Sequence, residues 1–295
     1  MSLPVSLSVP VLQIRYFAFN CLEMKFPTGK TLVVDPCLEK EGPFTCGYDV
    51  NDLEACDYVF VNHSHGDHVA SLGKLYDRFH PIILAHAATT YDMAQLFDIP
   101  YIRFLPFTFG DEFDFDDFKL RVVHGRHNNL IPSDFMVRPS GRRDELCSAQ
   151  VRTPPVGTEL ESRVWDKGTA YSSNFLLTTA GNFRVGFCAG NSGFADPQDR
   201  NLWKKLRPDI IFAQRARIGT NDGRDWTDRM ADVLEITGAR ILIPIHIEDA
   251  YSGKYDPADY VNAVNRRCEE RGILGRLLFM ERGQWYQFST FAGKM

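Results

Sequence analysis

With 33 basic residues against 38 acidic ones and a net charge of −5, the 295-residue chain has no general attraction for phosphate backbones or anionic membrane surfaces, so no nucleic-acid partner is expected. Hydrophobic residues make up 44% of it, enough for a large core, yet no run approaches the roughly 20 apolar residues that span a bilayer, so no integral membrane segment is expected. The length suits one large domain over 1–295.

Residues 1–11 lack a basic start, contain Pro4 and Pro10, and run into a strand-like stretch, which makes a poor signal peptide. Residues 12–19 and 21–26 are β-rich, and Thr28-Gly29-Lys30 is a turn signal before the apolar strand 31–35. Residues 57–62 (DYVFVN) read as a buried strand followed by a helix over 69–79. Strand 82–85, helix 89–97 and strand 101–105 come next, then strand 118–123, which leads into His124-Gly125-Arg126-His127. Residues 128–173 break this rhythm with Pro132, Pro139, Pro154, Pro155 and several arginines, and read as an insertion near a site. A second hairpin is expected over 174–188, around Ala180-Gly181-Asn182. The last third alternates helix 202–206, strand 209–213, helix 227–237, strand 240–245 and helix 257–271, closing with strands 276–280 and 284–288. Hairpins opening each half, followed by strand and helix alternation, predict an α/β fold of two sheets with helices outside. Seven cysteines, an odd number with no C-x-x-C pair, point to reduced thiols and a cytoplasmic location.

The densest chemical signal is His63-Ser64-His65-Gly66-Asp67-His68, directly after a buried strand. Imidazoles and carboxylates are costly to bury unpaired, so core packing does not call for such a cluster. Metal binding does; the competing reading is a histidine-rich surface turn. His63 and His65, two apart on an extended backbone, point the same way and can share one ion, while a turn at Gly66 swings Asp67 and His68 toward a second. Oxygen and nitrogen donors without cysteine suit Zn²⁺, Mn²⁺ or Fe²⁺. His246 follows the apolar strand Ile241-Leu242-Ile243-Pro244-Ile245 and is a further ligand candidate; a buried, hydrogen-bonded histidine is the alternative there. His127, past a strand end, is preferred to His124 at its edge. His86 also follows a strand, and His80 is expected to be structural or exposed. Arg215, Arg217 and Arg224 could clamp an anionic group, or form a solvated face paired with Asp222, Asp225 and Asp228.

The run H-S-H-G-D-H matches H-x-H-x-D-H, and Asp35-Pro36, Gly190-Asn191-Ser192-Gly193 and Pro244-Ile245-His246 stand in matching order along nearly the whole chain. In these features the chain resembles the metallo-β-lactamase superfamily. The strand wording V-V-D-P-C and A-G-N-S-G-F looks most like the branch of ascorbate-6-phosphate lactonase and the phospholipase D acting on N-acyl phosphatidylethanolamine. The resemblance implies a four-layer αββα sandwich of two mixed sheets. It implies a first ion on His63, His65 and His127 and a second on Asp67, His68 and His246. It also implies a hydrolase that uses a metal-bound hydroxide on a small ester, lactone or phosphodiester, an anionic substrate included, with Asp67 orienting the nucleophile.

One landmark departs. Where the family has a bridging aspartate, this chain has Asn191, a neutral amide that coordinates only through its carbonyl oxygen. A natural one-metal variant, an inactivating substitution and a non-catalytic metal- or ligand-binding member all fit that residue. An oxygen-reducing diiron enzyme is disfavoured, because that branch has a carboxylate where this chain has His65.

Overall fold

The sequence TLVV at 31–34 is buried on both faces, and a strand apolar on both sides must be covered on both sides. The computed structural model, which describes residues 7–125, 158–189, 197–214, 226–247 and 256–292, meets this demand with four layers. In the first sheet, β1 (Leu7–Tyr16), β2 (Leu22–Lys25) and β3 (Thr31–Val34) form an antiparallel meander. Parallel strands β4 (Tyr58–Phe60), β5 (Ile82–His86) and β6 (Phe104–Phe107) continue from it. The second sheet repeats the plan. Strands β7 (Glu112–Asp114), β8 (Phe118–His124), β9 (Ser173–Thr179) and β10 (Arg184–Cys188) are antiparallel. Parallel strands β11 (Ile210–Gln214), β12 (Ile241–Ile245) and β13 (Arg276–Leu277) complete it. The last strand, β14 (Tyr286–Ala292), returns to the first sheet and pairs with β1.

Side-chain alternation divides the apolar residues among three cores. Between the sheets lie Leu32, Val34 and Phe60 from one side and Phe118, Phe175, Phe187 and Phe212 from the other. Aromatic contacts bridge the sheets there: Phe26 stacks on Phe118 at 4.6 Å, and Phe60 meets Phe175 edge-on at 4.7 Å. The intervening residues Val33, Val59, Val61 and Ile83 face outward, beneath helices α1 (Gly66–Val69), α2 (Leu72–Phe79), α3 (Ala87–Leu96) and α4 (Glu159–Ala170). On the far side, Leu176, Ile211 and Leu242 are covered by α5 (Pro197–Leu206), α6 (Trp226–Thr237) and α7 (Pro257–Glu270).

Three local expectations are corrected, and one strand was not anticipated. The break in rhythm expected over 128–173 contains a 12-residue helix, α4. It is capped reciprocally, since the Thr158 hydroxyl accepts from the Glu161 amide while the Glu161 carboxylate accepts from the Thr158 amide. The expected strand 101–105 begins as a 3₁₀ turn, Tyr101–Arg103, after Pro100, and its strand portion is shifted to Phe104–Phe107. Strand 276–280 shortens to Arg276–Leu277, and Glu112–Asp114 forms a short edge strand that its acidic residues conceal. The cysteines among the described residues are free thiols, and no described helix is long and apolar enough to cross a membrane.

Candidate metal centre

The ends of β3 and β4 place the first donors. Beyond β3, Asp35 turns into the left-handed region (φ 45°) and is fully buried. Its Oδ1 accepts from the Asn62 amide at 2.6 Å, and its Oδ2 faces His68 Nδ1 at 2.8 Å. A carboxylate only accepts, so His68 donates through Nδ1–H and its Nε2 is the nitrogen able to bind a cation. Burial raises the Asp35 carboxyl above its ordinary pKa, and the His68 contact opposes this without cancelling it.

Beyond β4, His63, His65 and His68 are all buried. The His63 ring centroid lies 3.7 Å from that of His68 and 4.5 Å from that of His65. Asn62 Oδ1 stands 2.5 Å from His63 Nδ1. His65 is the N-cap residue of α1, whose single turn brings Asp67 and His68 round to the same pocket. The second sheet contributes His246, one residue past β12. It is held in the left-handed region (φ 57°) by a hydrogen bond from its backbone amide to the Phe19 carbonyl at 2.7 Å and by an edge-on ring contact with Phe19 at 5.6 Å.

Donors from the two sheets meet here. His246 Nε2 lies 3.1 Å from Asp67 Oδ2, and His68 Nε2 lies 3.7 Å from Asp67 Oδ1. One ligand atom from each of Asp67, His68 and His246 falls within 4.8 Å of the others. Burial pushes the Asp67 carboxyl upward, but the imidazoles of His68, His246 and His65 together outweigh it, so its pKa falls well below the usual carboxylate range. Imidazole nitrogen with carboxylate oxygen, in a pocket closed on one side, is a donor set that fits Zn²⁺, Mn²⁺ or Fe²⁺.

Helix α4 roofs the cluster. Ser64 Oγ donates to the Val164 carbonyl at 2.6 Å, and a Cβ added at Gly168 would lie 2.8 Å from His65 Cδ2 and 3.0 Å from the Ser64 amide. The lack of a side chain at Gly168 is what lets the helix seat on His65. Nothing in the local sequence marks Gly168, because its partner His65 lies about a hundred positions earlier. The T-x-x-E signal at Thr158 would have placed the helix, though not its contact.

Of the other residues singled out, His86 does not join this cluster. Its ring stacks on Tyr171 at 4.5 Å and meets Phe109, which also contacts His124. Burial lowers the His86 pKa, and His124 adds to that shift while Asp111 opposes it. His80 caps α2 in the left-handed conformation, a structural role. Arg163 pairs with Glu159 on its own helix and Asp228 pairs with Arg267. His127, Asn191, Arg215, Arg217 and Arg224 lie outside the described residues.

Comparison with known proteins adds to this geometry. No family model matches the chain. A UPF0173 metal-dependent hydrolase of Sulfurisphaera tokodaii is 29% identical over 123 residues, covering 40% of this chain and 51% of that protein. One from Flavobacterium johnsoniae is 30% identical over 105 residues, covering 35% and 44%. The chain thus spans about half the length of the curated relatives it matches. Among solved structures, the isothiocyanate hydrolase from Delia radicum gut bacteria aligns with a TM-score of 0.64 at 16% identity, covering 94% of this chain and 99% of that one. The metallo-β-lactamase fold protein YhfI of Bacillus subtilis aligns with a TM-score of 0.56 at 14% identity, covering 95% and 100%. This chain has the metallo-β-lactamase fold. In that fold the cluster sits at one rim of the sandwich, where β3 and β4 end and where the chain leaves β12.

Proposed function

We propose that this chain is a metal-dependent hydrolase of a small ester, lactone or phosphodiester. One observation carries the reading: Asp67 and His68 from the first half and His246 from the second converge within 4.8 Å, with His68 already held by a buried carboxylate. The names of the matched relatives, metal-dependent hydrolases, support it. His63, His65 and His127 would hold one divalent ion and Asp67, His68 and His246 a second, with Asn191 beside both; the ion is Zn²⁺, with Mn²⁺ and Fe²⁺ as the other candidates. An ion bound there supplies a Lewis acid for the carbonyl or phosphoryl oxygen and lowers the pKa of water.

The chain's own residues do the rest. Asp67, its two oxygens facing His246 and His68, would orient the attacking water as well as bind metal, since a carboxylate beside the water can accept its proton. Asp35 keeps His68 in one tautomer, and α4 closes the outer side over His65. Arg215 and Arg217 are the candidates to hold an anionic group on the substrate, which the lactonase and phospholipase D resemblance favours. The free thiols support a reducing, cytoplasmic setting.

A panel of p-nitrophenyl esters, phosphodiesters and lactones, assayed with Zn²⁺ or Mn²⁺, tests the reading. Turnover that chelation abolishes and metal restores supports it; bound metal without turnover on any substrate overturns it. Asn191 favours a second reading, a catalytically impaired binding protein on the same fold. An Asn191→Asp variant separates the two, since gain of a second ion together with turnover identifies a disabled hydrolase.

A further inference from the structure

His63 is linked to the opposite sheet through Asn62. Asn62 and Ser173 form a reciprocal pair between the end of β4 and the start of β9: the Ser173 amide donates to the Asn62 carbonyl at 2.8 Å, and the Asn62 side-chain amide donates to the Ser173 carbonyl. A backbone carbonyl only accepts, so the NH₂ of Asn62 must face Ser173 and its Oδ1 must face the other way. That oxygen stands 2.5 Å from His63 Nδ1, with the Ser172 hydroxyl 3.4 Å off on its other side. An amide oxygen cannot donate, so the proton of His63 sits on Nδ1 and the lone pair on Nε2.

We infer that Asn62 is a positioning residue for metal binding, one that uses the Ser173 carbonyl of the second sheet as a reference to hold His63 in its ligating tautomer. The inference rests on His63 being a metal ligand. It assigns Asn62 the part that Asp35 plays for His68, with one difference. A carboxylate accepts in any orientation, whereas the amide is competent only while the two sheets stay in register. The pocket is therefore ready for a cation only when the sandwich is assembled.

The first measurement needs no variant. In the metal-free protein, long-range ¹H–¹⁵N correlation spectra of the imidazoles should show His63 protonated on Nδ1; protonation on Nε2 overturns the proposal outright. Zinc affinity is then measured by chelator competition on the wild type, Asn62→Leu and Asn62→Asp, alongside thermal melts. Asn62→Leu is expected to weaken binding about 10–100-fold, the usual effect of losing a residue that supports a ligand. Asn62→Asp restores an acceptor and should recover the Nδ1–H signature and most of the affinity. Equal affinity in the wild type and Asn62→Leu, or equal loss in both variants, overturns it. A wild type that binds no zinc while showing the Nδ1–H signal at His63 sinks the metal-centre reading instead and leaves the tautomer assignment standing.

Discussion

The two sheets are built to one plan, an antiparallel meander leading into parallel strands, and they serve the site very differently. In the first, the ends of β3 and β4 present Asp35, Asn62 and His63, each fixed by short hydrogen bonds to its neighbours. From the second, His246 joins the cluster, its amide donating to the Phe19 carbonyl of the first half and its ring meeting Phe19 edge-on. Among the described residues, then, the first sheet's strand ends are tied to one another by hydrogen bonds, while His246, just past a strand of the second sheet, takes its anchor from the first half. A parallel strand end is a good place for a ligand in either half.

Substitutions that treat the halves alike should expose the difference. The largest effect is expected from His68→Ala and His246→Ala, each of which should remove metal from the triad and abolish turnover, measured by elemental analysis and assay. They part company in stability. His68→Ala leaves the buried Asp35 Oδ2 without its donor and should cost about 1–3 kcal/mol in denaturant melts, whereas the side chain of His246 is 17% exposed and its loss should cost little. Equal stability losses would erase the distinction. Next, Asp35→Asn keeps an acceptor for the Asn62 amide but can turn an NH₂ toward His68 Nδ1, favouring the tautomer that cannot ligate through Nε2. Zinc affinity should fall about 10–100-fold with the melting point nearly unchanged, as chelator competition and calorimetry would show.

Gly168→Ala sharpens the comparison from above. Alanine ordinarily favours a helix by about 1 kcal/mol over glycine, yet here its methyl meets His65 and the Ser64 backbone, so a net loss of about 1–2 kcal/mol and a lowered metal content are expected. A higher melting point with full metal content would show that α4 does not seat on the cluster. The smallest effect concerns Glu23, buried beside Arg15 in the first sheet. Burial raises its pKa despite the opposing Arg15, so the folded state binds that proton more tightly than the unfolded chain does. Its stabilising contribution is full below the ordinary glutamate value and fades as pH rises through the raised one. Melting points of wild type and Glu23→Gln should therefore diverge across that window, with the wild type losing ground as pH increases.

What could be read from the residues alone was the local part of this design. The H-x-H-x-D-H spacing pointed to four candidate ligands, and Asp67 and His68 among them meet His246, because that geometry depends on six consecutive residues and a turn at Gly66. The apolar runs at 31–35 and 57–62 were visible for the same reason, and hairpins opening each half before strand and helix alternation sufficed to anticipate two sheets with helices outside. Asn62, Gly168 and the Phe19 carbonyl were not readable, since each acts through a partner more than a hundred residues away, and nothing in an isolated asparagine or glycine says which carbonyl or ring it will meet. Helix α4 was hidden by the proline- and arginine-rich stretch before it, although its capping pair was in plain view.

Phe19, Asp35 and His246 all adopt left-handed backbone conformations that residues with side chains avoid, at about 1–3 kcal/mol each, and all three sit around one pocket. The protein is therefore held below the stability its core would allow, by an amount concentrated where function is expected. Variants selected for heat resistance should drift toward relaxing these positions, with glycine at 19 as the easiest route, and the gain would appear as a sturdier sandwich in which His246 keeps the carbonyl at 19 but loses the ring packed against it.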